Sequence, residues 1–195
     1  MPNLLDFLIW RKLKGAGGSG PVYEIPQGWL LVEDKKPIDT GYNPFADGPH
    51  DFTLMAHFAN FITQPTNYQL QVIGGPGLKV YCSSTNARFN NNYHQTAQQW
   101  TATDAVDLDV WKCHVAVITV RAKVDEHRLT VTAGFPGKPY QSHHFACTVF
   151  RPGNITLYGT YASMGIRRCL IYDRYLSDAD IQAFYDSQVK FTQET

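Results

Sequence analysis

The sequence predicts an all-β fold, an antiparallel β-sandwich, with one short helix before it and one after it. Three observations support this fold class. Short apolar or alternating segments recur from Val22 to Tyr172, and turns rich in glycine, proline and asparagine separate them. Aromatic residues make up 13% of the chain, and aromatic side chains favour strands. Charged residues make up only 17%, below the roughly one quarter of an average soluble domain, which disfavours a large exposed helical surface.

Eight segments carry the strand signal. Trp111–Arg121 is the strongest, because β-branched residues crowd its second half. The tetrapeptide Gly74-Gly75-Pro76-Gly77 is a clear turn between two of the others. Many short strands at this spacing favour antiparallel pairing over alternating strands and helices. The predicted strands are Phe52–Phe58, Tyr68–Ile73, Leu78–Cys82, residues 87–95, Trp111–Arg121, Leu129–Ala133, Ile155–Gly159 and Ile166–Tyr172.

A C-terminal helix is predicted to begin after Ser177. Serine is a favourable N-cap, and Asp178 and Asp180 stand in the first turn, where the helix dipole favours negative charge. Leu176 and Ile181 occupy the two positions of a hydrophobic staple. The stripe predicted to face inward consists of Ile181, Phe184 and Tyr185.

The first 14 residues are predicted to form an amphipathic anchor helix, followed by a glycine-rich linker at residues 15–21 and the sandwich at residues 22–195. A helix of about fourteen residues on a flexible tether is marginal in water. It therefore needs an apolar partner surface, which is the sandwich itself, a second copy in a homo-oligomer, or a larger assembly. Its predicted contact residues are Leu4, Leu5, Leu8, Ile9, Trp10 and Leu13.

Charge and cysteine spacing exclude several classes of function. Seventeen Lys and Arg balance seventeen Asp and Glu, so no net charge favours nucleic acid or an anionic membrane. No segment approaches the roughly 20 apolar residues of a membrane span, and the basic residues follow the apolar N-terminal run, unlike a secretory signal. The cysteines lack C-x-x-C spacing, which favours buried free thiols over zinc or a disulfide scaffold. They are Cys82, Cys113, Cys147 and Cys169.

Three segments stand in an order that is typical of one group of domains. They are Ile38-Asp39-Thr40-Gly41, which leads into Phe52–Phe58, then Trp111–Val117, and last Gly165–Ser177. They resemble, in turn, the opening, the W-x-H-V-A strand, and the closing strand with its Y-N-R-x-L-S turn in the laminin-G-like and concanavalin A-like lectin-glucanase superfamily. The resemblance covers roughly residues 25–190 and implies a jelly roll of two curved antiparallel sheets. Functions in this superfamily range from sugar binding to hydrolysis and adhesion, so the fold leaves function open.

Met1–Leu13, running into the glycine tract, resembles the N-terminal anchor peptides of phage head-fibre and other virion accessory proteins. The resemblance implies a larger assembly, such as a phage capsid or tail, as the partner of the anchor helix. It also implies a virion protein assembled in the host cytoplasm, with an extracellular or cell-surface location as the alternative.

The acidic residues disfavour an enzyme. Retaining glycosidases of the superfamily place two carboxylates on one strand, about 5–5.5 Å apart, yet the four glutamates stand in no Glu-x-Asp-x-x-Glu pattern. Asp107 and Asp109 would share one face of a strand, but they lie in a polar loop typical of a solvated turn. The resemblance makes calcium the commonest cofactor. Asp104, Asp107 and Asp109 are the candidate ligands of such an ion, whereas the prediction is that no cofactor is bound.

Carbohydrate binding calls for an aromatic platform beside amide and hydroxyl groups. The segment 88–100 has that composition, and Tyr81 lies on the preceding strand. In an extended chain Phe89, Asn91 and Tyr93 would share one face; the alternative is a polar hairpin whose aromatic rings pack inward. The predicted ligand-binding residues are Tyr81, Arg88, Asn91, Tyr93 and Trp100.

The sequence as a whole predicts a non-enzymatic virion accessory or adhesion protein, tethered by its N-terminal segment and able to bind host-surface glycans. The alternatives are a free carbohydrate-binding lectin module and, less favoured by the acidic residues, a glycoside hydrolase or lyase.

Overall fold

The structure is a computed structural model that describes residues 20–28, 30–32, 37–60, 70–83, 85–106, 116–135, 138–157 and 164–194. These residues contain thirteen strands and one helix. The strands are β1 (Tyr23–Ile25), β2 (Leu30–Val32), β3 (Ile38–Asp39), β4 (Phe52–Asn60), β5 (Leu70–Gly74), β6 (Leu78–Cys82), β7 (Ala87–Asn91), β8 (Gln98–Ala102), β9 (Ala116–Lys123), β10 (Arg128–Gly134), β11 (Gln141–Ala146), β12 (Thr156–Leu157) and β13 (Met164–Tyr172), and the helix is α1 (Asp178–Glu194).

The strands form two antiparallel sheets. The seven-stranded sheet has the order β1-β13-β4-β9-β10-β11, and β2 also pairs with β13. The six-stranded sheet has the order β3-β12-β5-β6-β7-β8. Every pairing between described strands is antiparallel. The predicted β-sandwich and C-terminal helix are therefore confirmed, whereas the predicted N-terminal helix lies outside the described residues.

The core lies between the two sheets and follows from alternation along the strands. On β4, Phe52 and Phe58 point inward and are fully buried. Phe89 on β7, in the six-stranded sheet, belongs to the same buried cluster. Burying one such side chain contributes roughly 1.5–3 kcal/mol, so the inner faces supply most of the driving force for folding.

The C-terminal helix packs on the outer face of the seven-stranded sheet. Met55, Val117 and Leu170 point outward from that sheet and form a second buried cluster with the predicted helix stripe. The cap is reciprocal: the Asp180 N–H donates to Ser177 Oγ at 3.2 Å, and the Ser177 N–H donates to Asp180 Oδ2 at 3.0 Å. The predicted cap, staple and stripe are thus confirmed.

Five strands and one strand end differ from the prediction. The short strands β1, β2 and β3 were not predicted. The strand predicted over residues 87–95 ends at Asn91, because Asn91 Oδ1 accepts the Tyr93 N–H at 2.9 Å and turns the chain. The strands β8 and β11 were not predicted, since their sequences are mostly polar. Both are edge strands, where side chains need not be apolar on either face.

Three of the four cysteines are described, and all three are buried free thiols, as predicted. Burial raises the pKa of Cys82 to about 12 and that of Cys147 to about 11. Cys113 lies outside the described residues. Within the described part of the chain, the helix is not long and apolar enough to cross a bilayer.

Candidate functional site

The outer face of the six-stranded sheet is polar where β6, β7 and β8 lie side by side. On β6, Leu78, Val80 and Cys82 point into the core, so Tyr81 points outward. Antiparallel register then places Arg88 of β7 opposite Tyr81, and Thr101 of β8 opposite Arg88. The three side chains form one row across three strands.

Tyr81 and Arg88 line a groove of about 250 Å³, which we call the Tyr81–Arg88 groove. Every lining side chain bears a hydroxyl, an amide or a guanidinium group. The described lining residues are Tyr81, Ser83, Asn86, Arg88, Gln99 and Thr101.

The β6–β7 turn fixes one end of this groove. The Ser83 N–H donates to the Asn86 carbonyl at 2.8 Å, and the Asn86 N–H donates to Ser83 Oγ at 3.3 Å. The Asn86 side-chain oxygen accepts the N–H of Asp104 at 3.3 Å, which joins this turn to the turn after β8. These bonds hold Ser83 and Asn86 beside the outward-facing strand residues.

Arg88 lies over the ring of Tyr81, with its guanidinium carbon 5.0 Å from the ring centroid. At this distance the ring quadrupole attracts the cation. The contact orients the guanidinium, because the two residues face each other directly across neighbouring strands.

Two predicted ligand-binding residues are in the interior instead, and the prediction for them is corrected. Asn91 is 0% exposed, and its amide donates to Gln98 Oε1 at 3.0 Å and to the Ala146 carbonyl at 2.9 Å. Tyr93 is 1% exposed and packs edge-on against Phe45, with ring centroids 5.1 Å apart. The alternative interpretation, in which the aromatic rings of this hairpin pack inward, describes Tyr93.

Trp100 also points to the inner side of β8 and does not line the groove. Its ring stacks on Phe89 at 5.5 Å and on His143 of β11 at 5.2 Å between centroids. Trp100 therefore closes the sandwich where the edge strands β8 and β11 meet. Burial, and to a smaller extent neighbouring His144, lowers the pKa of His143, which favours the neutral ring against Trp100.

Four groove residues were not among the predicted site residues. They are Ser83, Asn86, Gln99 and Thr101. The period-two alternation that places Tyr81 and Arg88 outward also places Gln99 and Thr101 outward once β8 is known to pair with β7. The pairing of β8 with β7 was the information that the sequence prediction lacked.

The predicted calcium ligands are only partly described. Asp104 is exposed in the turn after β8, with a backbone φ of +53°, while Asp107 and Asp109 lie outside the described residues. Among the residues that the structure describes, no group of three or more His, Cys, Asp or Glu side chains could hold a metal ion. The predicted anchor residues Leu4, Leu5, Leu8, Ile9, Trp10 and Leu13 also lie outside the described residues.

A second groove, of about 320 Å³, runs between α1 and the outer face of β13, and we call it the helix-side groove. Met55, Leu170 and Phe184 contribute apolar lining. Its charged side chains have counter-ions: Arg168 lies 3.6 Å from Glu24, and Asp180 lines the groove together with Arg174.

Comparison with solved structures finds similar folds in neurotoxin binding domains. The binding domain of botulinum neurotoxin DC in complex with SialylT is 12% identical and superposes with a TM-score of 0.54, over 84% of this chain and 45% of that chain. The same domain in complex with rat synaptotagmin II is 12% identical, with a TM-score of 0.53, over 87% and 52% of the two chains.

A structure of botulinum neurotoxin type C is 12% identical, with a TM-score of 0.53, over 87% of this chain and 51% of that chain. Cell entry of that toxin is dependent upon interaction with two ganglioside molecules. At this identity the likeness shows the fold alone, and the chain spans about half the length of these binding domains. No protein-family model and no curated protein sequence matches the chain. What the comparisons show is the β-sandwich fold.

Proposed function

We propose that the protein is a carbohydrate-binding adhesion module and that the Tyr81–Arg88 groove is its ligand site. The observation that carries the proposal is the composition of the groove. Its six lining side chains are all polar and point outward from a rigid sheet or from the turn beside it. Sugars offer many hydroxyl groups, which require such a set of closely placed donors and acceptors.

The groove suits a small saccharide at modest affinity. The amides of Asn86 and Gln99 offer both donors and acceptors, and the hydroxyls of Ser83 and Thr101 offer the same at two further points. A neutral hydrogen bond contributes about 1 kcal/mol net. Association also costs free energy, because the ligand loses freedom of motion. A few such bonds therefore give only weak binding of a saccharide to a single site. Adhesion then depends on several copies acting together.

The structural neighbours support the proposal at the level of the fold class. Descriptions of these neurotoxin domains mention SialylT and gangliosides. Since the chain matches about half of each domain, those ligands belong to the neurotoxins and are not assigned to this chain.

The proposed role is non-enzymatic. Glycoside hydrolysis uses two carboxyl groups facing the sugar, roughly 5–9.5 Å apart. The lining of the Tyr81–Arg88 groove contains no Asp or Glu among the described residues, so a sugar bound there would meet donors and acceptors without the pair of carboxyl groups that this chemistry uses.

We further propose that the N-terminal segment tethers the sandwich to a larger assembly such as a phage particle. The apolar residues Leu8 and Ile9 and the following glycine tract carry this proposal. In the full chain, Leu8→Asp with Ile9→Asp is expected to abolish co-purification with assembled particles and leave the unfolding midpoint of the sandwich unchanged. Normal incorporation of this variant would contradict the tether.

A glycan array with the full-length protein tests the binding proposal. Gln99→Ala is expected to weaken every glycan signal several-fold, because it removes two donors and an acceptor from the groove. Gln182→Ala is the matched control, since this glutamine is equally exposed but lies on the solvent side of α1. The proposal fails if no glycan binds, or if the two variants bind alike.

A further inference from the structure

Resting on the proposed function, we infer that the Tyr81–Arg88 groove selects saccharides that carry a carboxylate, as sialic and uronic acids do. In this assignment Arg88 contacts the carboxylate, and Tyr81 is a positioning residue that acts through Arg88.

The first support is the charge of the groove. Arg88 is the one basic residue among the six lining residues, none of which is Asp or Glu, and the other five bear hydroxyl or amide groups. The nearby acidic residue Asp104 contacts Asn86 through its backbone N–H and does not line the groove. Among the described residues, the lining of the groove therefore carries a positive charge and no carboxylate.

The second support is a contrast with other arginines of the sandwich. Arg121 lies 2.6 Å from the Asp178 carboxylate, Arg128 lies 2.7 Å from Glu126, and Arg168 lies 3.6 Å from Glu24. Within the described residues, Arg88 has no carboxylate within ion-pairing distance, although it is partly buried. Its charge is thus left for a group that the described chain does not supply.

The third support is orientation. The guanidinium is a planar fork that binds a carboxylate through two parallel N–H···O bonds. Contact with the Tyr81 ring at 5.0 Å holds the fork over one side of the groove, while Thr101 stands opposite Arg88 on β8. A ligand carboxylate can meet the fork while sugar hydroxyls reach Thr101 and Gln99. Because the site is preorganised, less conformational entropy is lost on binding.

Calorimetric titration of the full-length protein tests the inference with three probes. These are 3′-sialyllactose, a disaccharide that contains glucuronic acid, and lactose as the neutral match for the first. We expect at least one acidic probe to bind about ten- to a hundredfold more tightly than lactose, the range of one charge-assisted bidentate contact. We also expect binding of that probe to weaken as the screening length falls from about 10 Å at 0.1 M salt to about 3 Å at 1 M.

Three variants assign the effect to named residues. Arg88→Gln removes the charge and leaves a shorter side chain with a neutral amide donor, and it should reduce the acidic preference to below about twofold while keeping lactose binding. Tyr81→Phe keeps the ring and should keep most of the preference, because the face of the ring attracts the cation. Arg128→Gln is the matched control, since Arg128 is similarly exposed and also lies over a tyrosine, 6.0 Å from the Tyr175 ring centroid. This control should leave all three affinities unchanged.

The outcomes separate the inference from the proposed function. Equal binding of acidic and neutral probes, or an acidic preference that survives Arg88→Gln, would overturn the inference while the groove stands as a neutral-sugar site. No binding of any probe, together with an empty glycan array, would overturn both. If Arg88→Gln and Arg128→Gln lose the acidic preference equally, the preference comes from the overall charge of the protein. That result would overturn the role of Arg88 in the groove.

Discussion

The two sheets of the sandwich differ in what they place on their outer faces. The seven-stranded sheet points Met55, Val117 and Leu170 outward, and α1 covers them with Ile181 and Phe184. The six-stranded sheet points Tyr81, Arg88, Gln99 and Thr101 outward at corresponding alternate positions of β6, β7 and β8, and these line an open groove.

The comparison separates stability from recognition. Apolar side chains on an outer face must be buried, so that sheet carries a helix whose packing contributes to folding. Polar side chains on an outer face need no cover and are free to bind a ligand. The arginines differ in the same way: Arg168 beside α1 has a carboxylate partner, whereas Arg88 has none among the described residues.

The largest expected effect is on the covered face. Phe184→Ala removes a buried ring from the helix cluster, and we expect a loss of about 3 kcal/mol in the free energy of unfolding. Binding in the groove should not change, because the groove lies on the other sheet. Denaturant unfolding measures the first quantity and calorimetry the second. Gln182→Ala, on the exposed side of the same helix, should change stability by less than about 0.5 kcal/mol. Equal losses in both variants would show that α1 does not cover the sheet as described.

A smaller effect is expected at the start of the helix. Ser177→Ala removes the hydroxyl that accepts the Asp180 N–H at 3.2 Å, which should reduce the free energy of unfolding by about 1 kcal/mol. The variant Ser177→Asn retains a capping oxygen and should recover most of this loss. If Ser177→Ala unfolds like the unchanged protein, the cap does not contribute to the docking of α1.

The smallest effect is a pH dependence at the same cap. Hydrogen bonds from the Ser177 hydroxyl, and then from its backbone N–H, lower the pKa of Asp180 below its ordinary value of 3.8. A carboxyl group whose pKa is lower in the folded state stabilises the fold above its unfolded pKa, and this contribution is lost as the pH falls through the folded pKa.

Asp180→Asn is therefore expected to be less stable than the unchanged protein at pH 6, and the difference should shrink as the pH falls below about 4. Urea unfolding across this pH range measures it. In a Ser177→Ala background, the effect of Asp180→Asn on the free energy of unfolding should depend less on pH, because the hydroxyl that donates the principal hydrogen bond to Asp180 is gone. A loss of stability in Asp180→Asn that grows as the pH falls would contradict this prediction.

The sequence predicted the covered face better than the open one. Helix α1 was predicted to its cap and stripe, since Ser177, Leu176 and Ile181 are local signals within a few residues of each other. The groove depends on β8, whose polar sequence Gln98–Ala102 carries no apolar alternation and whose place is fixed only by pairing with β7. The prediction that Asn91 and Tyr93 bind the ligand was wrong for the same reason. Alternation along the chain predicts that they share a face, but only the pairing of the strands determines that this face points into the core.

Chemical-shift mapping by NMR tests the central claim most directly. The full-length protein would be titrated with the tightest-binding saccharide, and amide shifts followed in both sheets. We predict that the largest shifts cluster at Tyr81, Arg88, Gln99 and Thr101, while the amides beside the helix-side groove, such as Leu170 and Phe184, stay unchanged. Shifts concentrated around Leu170 and Phe184, with the outer face of the six-stranded sheet unaffected, would contradict the account.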